Sequence, residues 1–262
     1  VCPPLDDAAV RAAAWRDVAF AVDANGRPWI GHSGRSIVNP TRQYRFEIPQ
    51  RFTSFACLEN GAFLIATDRQ IGYADAPTAS PDGTAVADFR PVLSLPVRGG
   101  RIFAGGGDCL FAAGRGTRNQ HEAFILRPAS SGSRGFTPIF AADEPISAVA
   151  GDSDVAYIAI GRLIVQVTLS DGVASRFYVH PTDSIRHLAY TAPPGVFYAT
   201  AGGVGHIAPR GVTPLMVAPR PSIFLQGGTL YVFFEDSLGG VALDDVGYLA
   251  RSGGTASAGR IA

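Results

Sequence analysis

Six times along this chain a turn residue is followed at once by a short run of aromatic and aliphatic residues, and the six runs can be laid over one another. They are Gly26–His32, Gly61–Thr67, Gly107–Ala113, Asp154–Ile160, Gly195–Ala201 and Gly228–Phe234. Aligned, they superpose Trp29, Leu64, Leu110, Tyr157, Tyr198 and Tyr231, at intervals of 35, 46, 47, 41 and 33 residues. The runs are four to seven residues long, rich in Val, Ile, Phe and Tyr, and bounded by Gly, Pro, Asn and Asp. That is the punctuation of strands, without helical periodicity. A unit of about 40 residues is too small to bury its own apolar faces, so a chain of such units must stack them.

The rest of each unit supplies three further strands. A small-residue strand precedes each run: Val18–Val22, Thr53–Cys57, Arg101–Ala104, Ile146–Ala150, Ile185–Tyr190 and Ser222–Leu225. Small residues suit an innermost strand, where units crowd around an axis. A third strand follows at Ser36–Val38, Gln70–Tyr73, Ala123–Leu126, Leu163–Val167, Gly205–Ile207 and Gly240–Leu243. The fourth is read at Tyr44–Ile48, Phe89–Leu93, Phe136–Phe140, Arg176–Val179, Val212–Val217 and Gly247–Ala250. Several of the fourth strands carry Pro, which an edge strand tolerates because its outward N–H has no ladder partner to lose. The expected fold is therefore all-β: a six-bladed β-propeller of four-stranded antiparallel blades over residues 17–251. The alternatives are a seven-bladed ring using residues outside this chain, or a pair of β-sandwiches, which leaves the six-fold recurrence without a cause. Asp6-Asp7 caps a run of strong helix formers through Trp15, so residues 1–16 read as a short helical segment. Residues 252–262 read as a tail or linker, and ring closure is expected to rest on packing between blades and on the N-terminal segment.

The stretch Asp23-Ala-Asn-Gly-Arg-Pro-Trp-Ile-Gly-His-Ser-Gly-Arg-Ser-Ile-Val38 resembles the repeat of two-component-regulator-type and NHL-like propellers, whose units run Gly-x-hydrophobic-Trp-Ile-Gly, a Gly turn and an apolar strand. The match is good in the first unit and loose in the others. It implies an extracytoplasmic sensing or protein-interaction module. The chain has no Trp-Asp dipeptide, no Tyr-Trp-Thr-Asp unit and no sialidase Asp-box. A gluconolactonase-like calcium site needs convergent Glu, Asn and Asp, whereas Asn25, Asn39, Asn60 and Asn119 fall in turns or loops.

Charge and chemistry narrow the function further. The chain carries 22 basic and 22 acidic residues in 262, and every basic one is Arg. A neutral balance argues against a nucleic-acid or anionic-membrane binder, and no apolar run approaches membrane-spanning length. The absence of Lys is the mark of a GC-rich coding sequence and points to a bacterial source. Beginning at Val1-Cys2-Pro3, the chain reads as a processed protein or a domain of a larger one, periplasmic, extracytoplasmic or cytoplasmic. Cys2, Cys57 and Cys109 form no CxxC pair; Cys57 and Cys109 read as buried small hydrophobes, and Cys2 as a disulfide partner or lipid-anchor remnant. The five histidines lack metal-ligand spacing, there is no Gly-x-Ser-x-Gly elbow, and Gly151-Asp-Ser-Asp154 is ordinary turn chemistry. No catalytic residue, metal or cofactor is assigned.

Sorting charges by blade end gives the candidate site. The second-to-third turns and the links between units carry Arg35, Arg51, Arg69, Arg98, Arg115, Arg118, His121, Arg162 and Arg220, against Asp68, Asp143, Glu144, Asp183, Glu235 and Asp236. The opposite connections lean acidic, with Asp23, Asp75, Asp108, Asp152, Asp154 and Asp171 among them. Arg51, Arg69, Arg98, Arg118 and His121 are the candidate binding residues, for a protein partner or an anionic small ligand, since Arg grips carboxylates in a bidentate fork. The function expected is a non-catalytic interaction or ligand-sensing domain. The alternatives are a hydrolase or lyase acting on an anionic or sugar substrate in an axial pocket, with His121 or His187 as general base beside a carboxylate, and a structural propeller that spaces an assembly.

Overall fold

The computed structural model describes residues 20–22, 28–32, 34–39, 44–57, 62–75, 85–106, 108–127, 135–192, 195–209, 211–226, 229–234, 240–243 and 258–261. Among them every regular element is a strand. The helical segment read at the N-terminus, Cys2, and the strand read at Gly247–Ala250 lie outside the described residues.

The chain divides into two compact units, 1–102 and 103–262. The first unit holds two sheets. One comprises β1 (Phe20–Val22), β2 (Pro28–His32), β3 (Ser36–Asn39) and β4 (Tyr44–Glu47) in an antiparallel meander. The other comprises β5 (Phe52–Cys57), β6 (Phe63–Thr67), β7 (Gln70–Ala74) and β9 (Phe89–Ser94). Between β7 and β9 the chain makes β8 (Ala85–Val86), which pairs in parallel with the outer side of β4 and gives the first sheet a fifth strand.

Strand β10 (Arg98–Ala104) spans the division and opens a sheet completed by β11 (Leu110–Arg115), β12 (His121–Leu126) and β13 (Thr137–Ala142). Three more four-stranded sheets follow. They are β14 (Ile146–Gly151), β15 (Val155–Ile160), β16 (Leu163–Thr168) and β17 (Ala174–Val179); β18 (His187–Thr191), β19 (Gly195–Ala199), β20 (Gly203–Ala208) and β21 (Gly211–Val217); and β22 (Pro221–Gln226), β23 (Thr229–Phe234), β24 (Gly240–Leu243) and β25 (Ala258–Ile261). The last strand, paired with β24 from Gly240↔Ile261 to Leu243↔Ala258, comes from the segment read as a tail. Ala-Gly-Arg-Ile has neither the aromatic content nor the alternation that marks a strand in sequence.

Burial explains why the inner runs were the visible ones. The second strands are covered on both faces: all five residues of β6 and of β19 are buried. Strands of that kind read as continuous apolar runs. The outer strands β9 and β21 are mostly exposed, and β17 is exposed over its first half. In the first unit the core lies between the two sheets, where Trp29 meets Phe63 edge-on at 4.9 Å and Phe46 at 6.0 Å, with Phe52 and Phe55 beside them. In the second unit, apolar clusters join the sheets of β11 and β15, of β15 and β19, and of β19 and β23. Cys109 is buried in the first of these clusters and Cys57 is half-buried.

Two irregularities recur. Each of β9, β13, β17 and β21 carries a bulge against its third strand, with Val92, Ile139, Phe177 and Leu215 as the extra residues. The inner strands β5 and β14 bulge at Thr53 and Ser147, and both hydroxyls are put to use there. Thr53 Oγ1 donates to Ala66 O and Gly100 O; Ser147 Oγ donates to Ala159 O at 3.2 Å and Ile185 O at 2.7 Å. One hydroxyl thus fastens its own hairpin and the start of the next sheet.

Candidate functional site

The links between sheets are held by a repeated backbone device. A link N–H returns to a carbonyl in the turn between the second and third strands of its own sheet. Ile48 N donates to Arg35 O and Phe52 N to Gly34 O, each at 2.7 Å. His180 N donates to Arg162 O at 2.8 Å and Ile185 N to Gly161 O at 2.7 Å; Ala218 N donates to Gly202 O and Arg220 N to Ala201 O. Gly34 (φ 64°) and Gly161 (φ 53°) sit in the left-handed region that lets the turn present its carbonyl. In the second sheet, Leu95 N donates to Arg69 O, but the other bond goes to a side chain: Gly99 N donates to Asp68 Oδ1 at 2.8 Å.

This device gathers arginines in the first unit. Phe52 is the hub, because its N–H is bound by Gly34 and its backbone pairs with Thr67 at the end of β6. Arg35 and Arg51 flank it on one side, with Arg51 Nε 3.8 Å from where a Cβ on Gly34 would stand. Asp68 and Arg69 continue from Thr67, whose hydroxyl accepts from Gln70 N at 3.2 Å and fixes the turn. Arg98 precedes Gly99, which Asp68 holds. Arg35, Arg51, Arg69 and Arg98 are exposed or nearly so, and Asp68 stands among them, 3.8 Å from Arg69 Nε. Arg35, Arg51 and Arg98 have no acidic partner among the described residues.

Arg118 and His121 belong to the second unit, on the hairpin joining β11 and β12, so the five candidates fall into two groups. Arg118 is exposed in the turn, beside Asn119 at φ 66°; His121, half-buried, opens β12 opposite Arg115. Their surroundings are mixed in charge. The Glu122 carboxylate fills the space beside Gly116, Gln120 Nε2 donates to Asp143 Oδ1 at 3.2 Å, and Glu144 Oε2 lies 3.4 Å from a Cβ on Gly161. His187, the other candidate base, sits on inner strand β18 with Nε2 3.2 Å from Ser222 Oγ on β22.

The turn aspartate Asp152 and three groups in the sheets make contacts that sequence does not foretell. Asp152 Oδ1 accepts from Asp154 N and Val155 N, as a turn aspartate does, and the carboxylate also binds the Tyr190 hydroxyl. Burial and then Asp152 push the Tyr190 phenol up. Burial, then the hydrogen bond to Tyr178, does the same to Tyr198. His206, buried on β20 and stacked on Phe197 at 4.5 Å, has no partner for Nε2 among the described residues, and burial lowers its pKa below 6.5. Beyond the Asp152 turn itself, the partners come from neighbouring strands, so no local signal could have found them.

No family model and no curated protein sequence matches the chain. Solved structures do. A virginiamycin B lyase from Staphylococcus aureus aligns over 83% of this chain and 91% of its own, at 16% identity and a TM-score of 0.54. A gluconolactonase from Xanthomonas campestris aligns over 82% of each chain at 10% identity and a TM-score of 0.58. A chain of a nidogen/laminin complex aligns over 87% of this chain and 76% of its own, at 9% identity and 0.53. The fold is that of a β-propeller. At such identities the likeness extends to the propeller fold and no further, so function has to be argued from this propeller's own residues.

Proposed function

We propose that the six sheets are blades of one six-bladed propeller of the two-component-regulator or NHL-like type, and that it is a non-catalytic binding module of a larger bacterial protein or complex. Its ligand is an anionic group, most simply a carboxylate cluster on a partner protein, taken by the arginines on the loops between blades. The observation that carries this is the convergence of Arg35, Arg51, Arg69 and Arg98 on the loops around Phe52 with Asp68 as their acidic neighbour. Exposed guanidiniums in excess over carboxylates are available for bidentate contact at little desolvation cost. Arg118 and His121 extend the reading to the second unit. The nidogen chain among the structural neighbours comes from a protein–protein complex, which agrees with such a role. The test is affinity purification from the source organism with a photo-crosslinking residue at position 51 or 98. The reading expects a partner cross-linked at these loops and lost on Arg51→Glu with Arg69→Glu. An unchanged set of partners in the double variant overturns it.

A second reading, a hydrolase or lyase with His187 as base, has the His187–Ser222 pair in its favour, a hydroxyl and an imidazole within hydrogen-bond reach. Two structural neighbours are a lyase and a gluconolactonase. Against it, Thr53 and Ser147, each the second residue of an inner strand as Ser222 is, use their hydroxyls to fasten strands. Turnover of ester or lactone substrates that disappears in Ser222→Ala would favour the enzyme.

A further inference from the structure

The outer strand of a sheet presents a row of backbone donors and acceptors that another strand could use, and proteins guard such edges. Three edges here are guarded in the same way. In β9, β13 and β21 the residue just before the bulge is proline: Pro91 opposite Gly72, Pro138 opposite Phe124, and Pro214 opposite Gly205. Proline fits that register because the N–H it lacks would point away from the sheet, so each of these edges is missing an outward donor. Strand β4 has neither proline nor bulge, and its outer side is taken by β8, through Ala85↔Phe46 and Val86↔Glu47, with Ala87 N donating to Glu47 O at 2.8 Å.

Strand β17 departs from both patterns. Arg176, opposite Val165, stands where the sister strands have proline, so the outward N–H is present. Among the described residues no strand pairs with its outer side. Ala174, Ser175 and Arg176 are all exposed, and Val173, just ahead of them, is 57% exposed. The three exposed strand residues are one more than the two, Phe46 and Glu47, that β8 uses on β4.

We infer that the outer edge of β17 is a docking site for an extended, acidic segment of a partner protein, added in parallel as β8 is added to β4. The β8–β4 pair supplies the mode and shows how short the footprint can be. Arg176 supplies the charge preference, since it has no acidic partner among the described residues and a cross-strand Asp or Glu on the same face would pair with it. It also disfavours a second copy of this chain, because antiparallel self-pairing about the strand centre sets Arg176 near Arg176. The site uses none of the loop arginines, so it stands or falls apart from the reading above.

A phage-displayed library of random octapeptides panned on the purified protein, with Arg176→Pro as counter-target, tests this. Proline at this register is native to three sister strands, so the variant should fold; if it does not, Arg176→Glu takes its place. Retained peptides should alternate apolar and acidic residues, bind the variant about tenfold more weakly, and protect the amides of residues 174–179 from hydrogen exchange. Arg176→Glu should turn the preference toward basic peptides. Failure to enrich any peptide, equal binding to the variant, protection elsewhere, or a dimer protected along β17 would each overturn the inference.

Discussion

His206 shows how one buried ring can couple folding to pH. It stacks on Phe197 in the cluster formed by Ala189, Ile223, Leu230 and Val232, and no charged group contributes to its titration; burial alone lowers its pKa. The folded state therefore holds the neutral imidazole, whereas the unfolded chain takes up a proton near 6.5. Below that value the unfolded state binds more protons, so this residue's contribution is full above about pH 6.5 and is lost as the pH falls toward the folded pKa. Urea titrations of wild type and His206→Phe at pH 7.5 and 5.5 are the check. The gap between their midpoints should widen in favour of the variant at the lower pH, and a constant gap would assign the acid sensitivity to other groups. At the same scale, Ser147→Ala removes a hydroxyl that donates to two carbonyls. It should cost about 1–2 kcal/mol in urea unfolding, because the hydroxyl that ties the bulge to Ile185 O is lost.

Strands reveal themselves in sequence when both faces are covered, and hide when they are not. Phe63-Leu-Ile-Ala-Thr67 and Gly195-Val-Phe-Tyr-Ala199 are buried throughout, and their recurrence placed the sheets. By contrast Ala85-Val86 forms β8 only because the outer side of β4 offers it a ladder, and β25 depends on β24 in the same way. A pairing partner is not written in the segment that uses it. The bulges were equally silent, although their prolines were visible, because register is set by packing between strands. Gly205 marks what the bulge requires: a Cβ there would overlap the Tyr198 ring, and one on Gly72 would overlap the Phe89 ring and come within 2.5 Å of the Arg90 carbonyl. Gly205→Ala should therefore destabilise by about 1–3 kcal/mol through overpacking. Gly106→Ala, whose nearest neighbour would be Asp152 Cβ at 3.4 Å, should change stability far less in the same urea titration.

At the scale of the whole molecule the charges sum to zero, with 22 of each sign, so any attraction for a charged partner has to come from how they are distributed. Sequence placed the arginines on loops, and the structure adds what sequence could not: Asp68 holds the Gly99 N–H, and the loops that carry Arg51, Arg69 and Arg98 are joined through bonds between residues far apart in the chain. Arg45 and Arg90 have carboxylate partners in Glu47 and Asp75. On the proposed function, that contrast sets the loop arginines apart from ordinary solvated charge. If each unengaged guanidinium contributes about 0.5 kcal/mol to holding a carboxylate chain, as exposed pairs do, replacing Arg35, Arg51 and Arg98 together by Ala should weaken binding of poly-glutamate about tenfold. Replacing Arg45 and Arg90 should leave it nearly unchanged, because each loses a partner it already had. Both sets are exposed, so neither should shift unfolding by more than about 0.5 kcal/mol per site. The attraction should also fade as added salt shortens the Debye length from about 30 Å at 0.01 M to about 8 Å at 0.15 M. Fluorescence anisotropy of labelled poly-glutamate at the two ionic strengths reads both effects. Equal losses in the two sets of variants would mean that the loop arginines act only as part of a diffuse surface charge, and the binding surface would have to be sought elsewhere on the propeller.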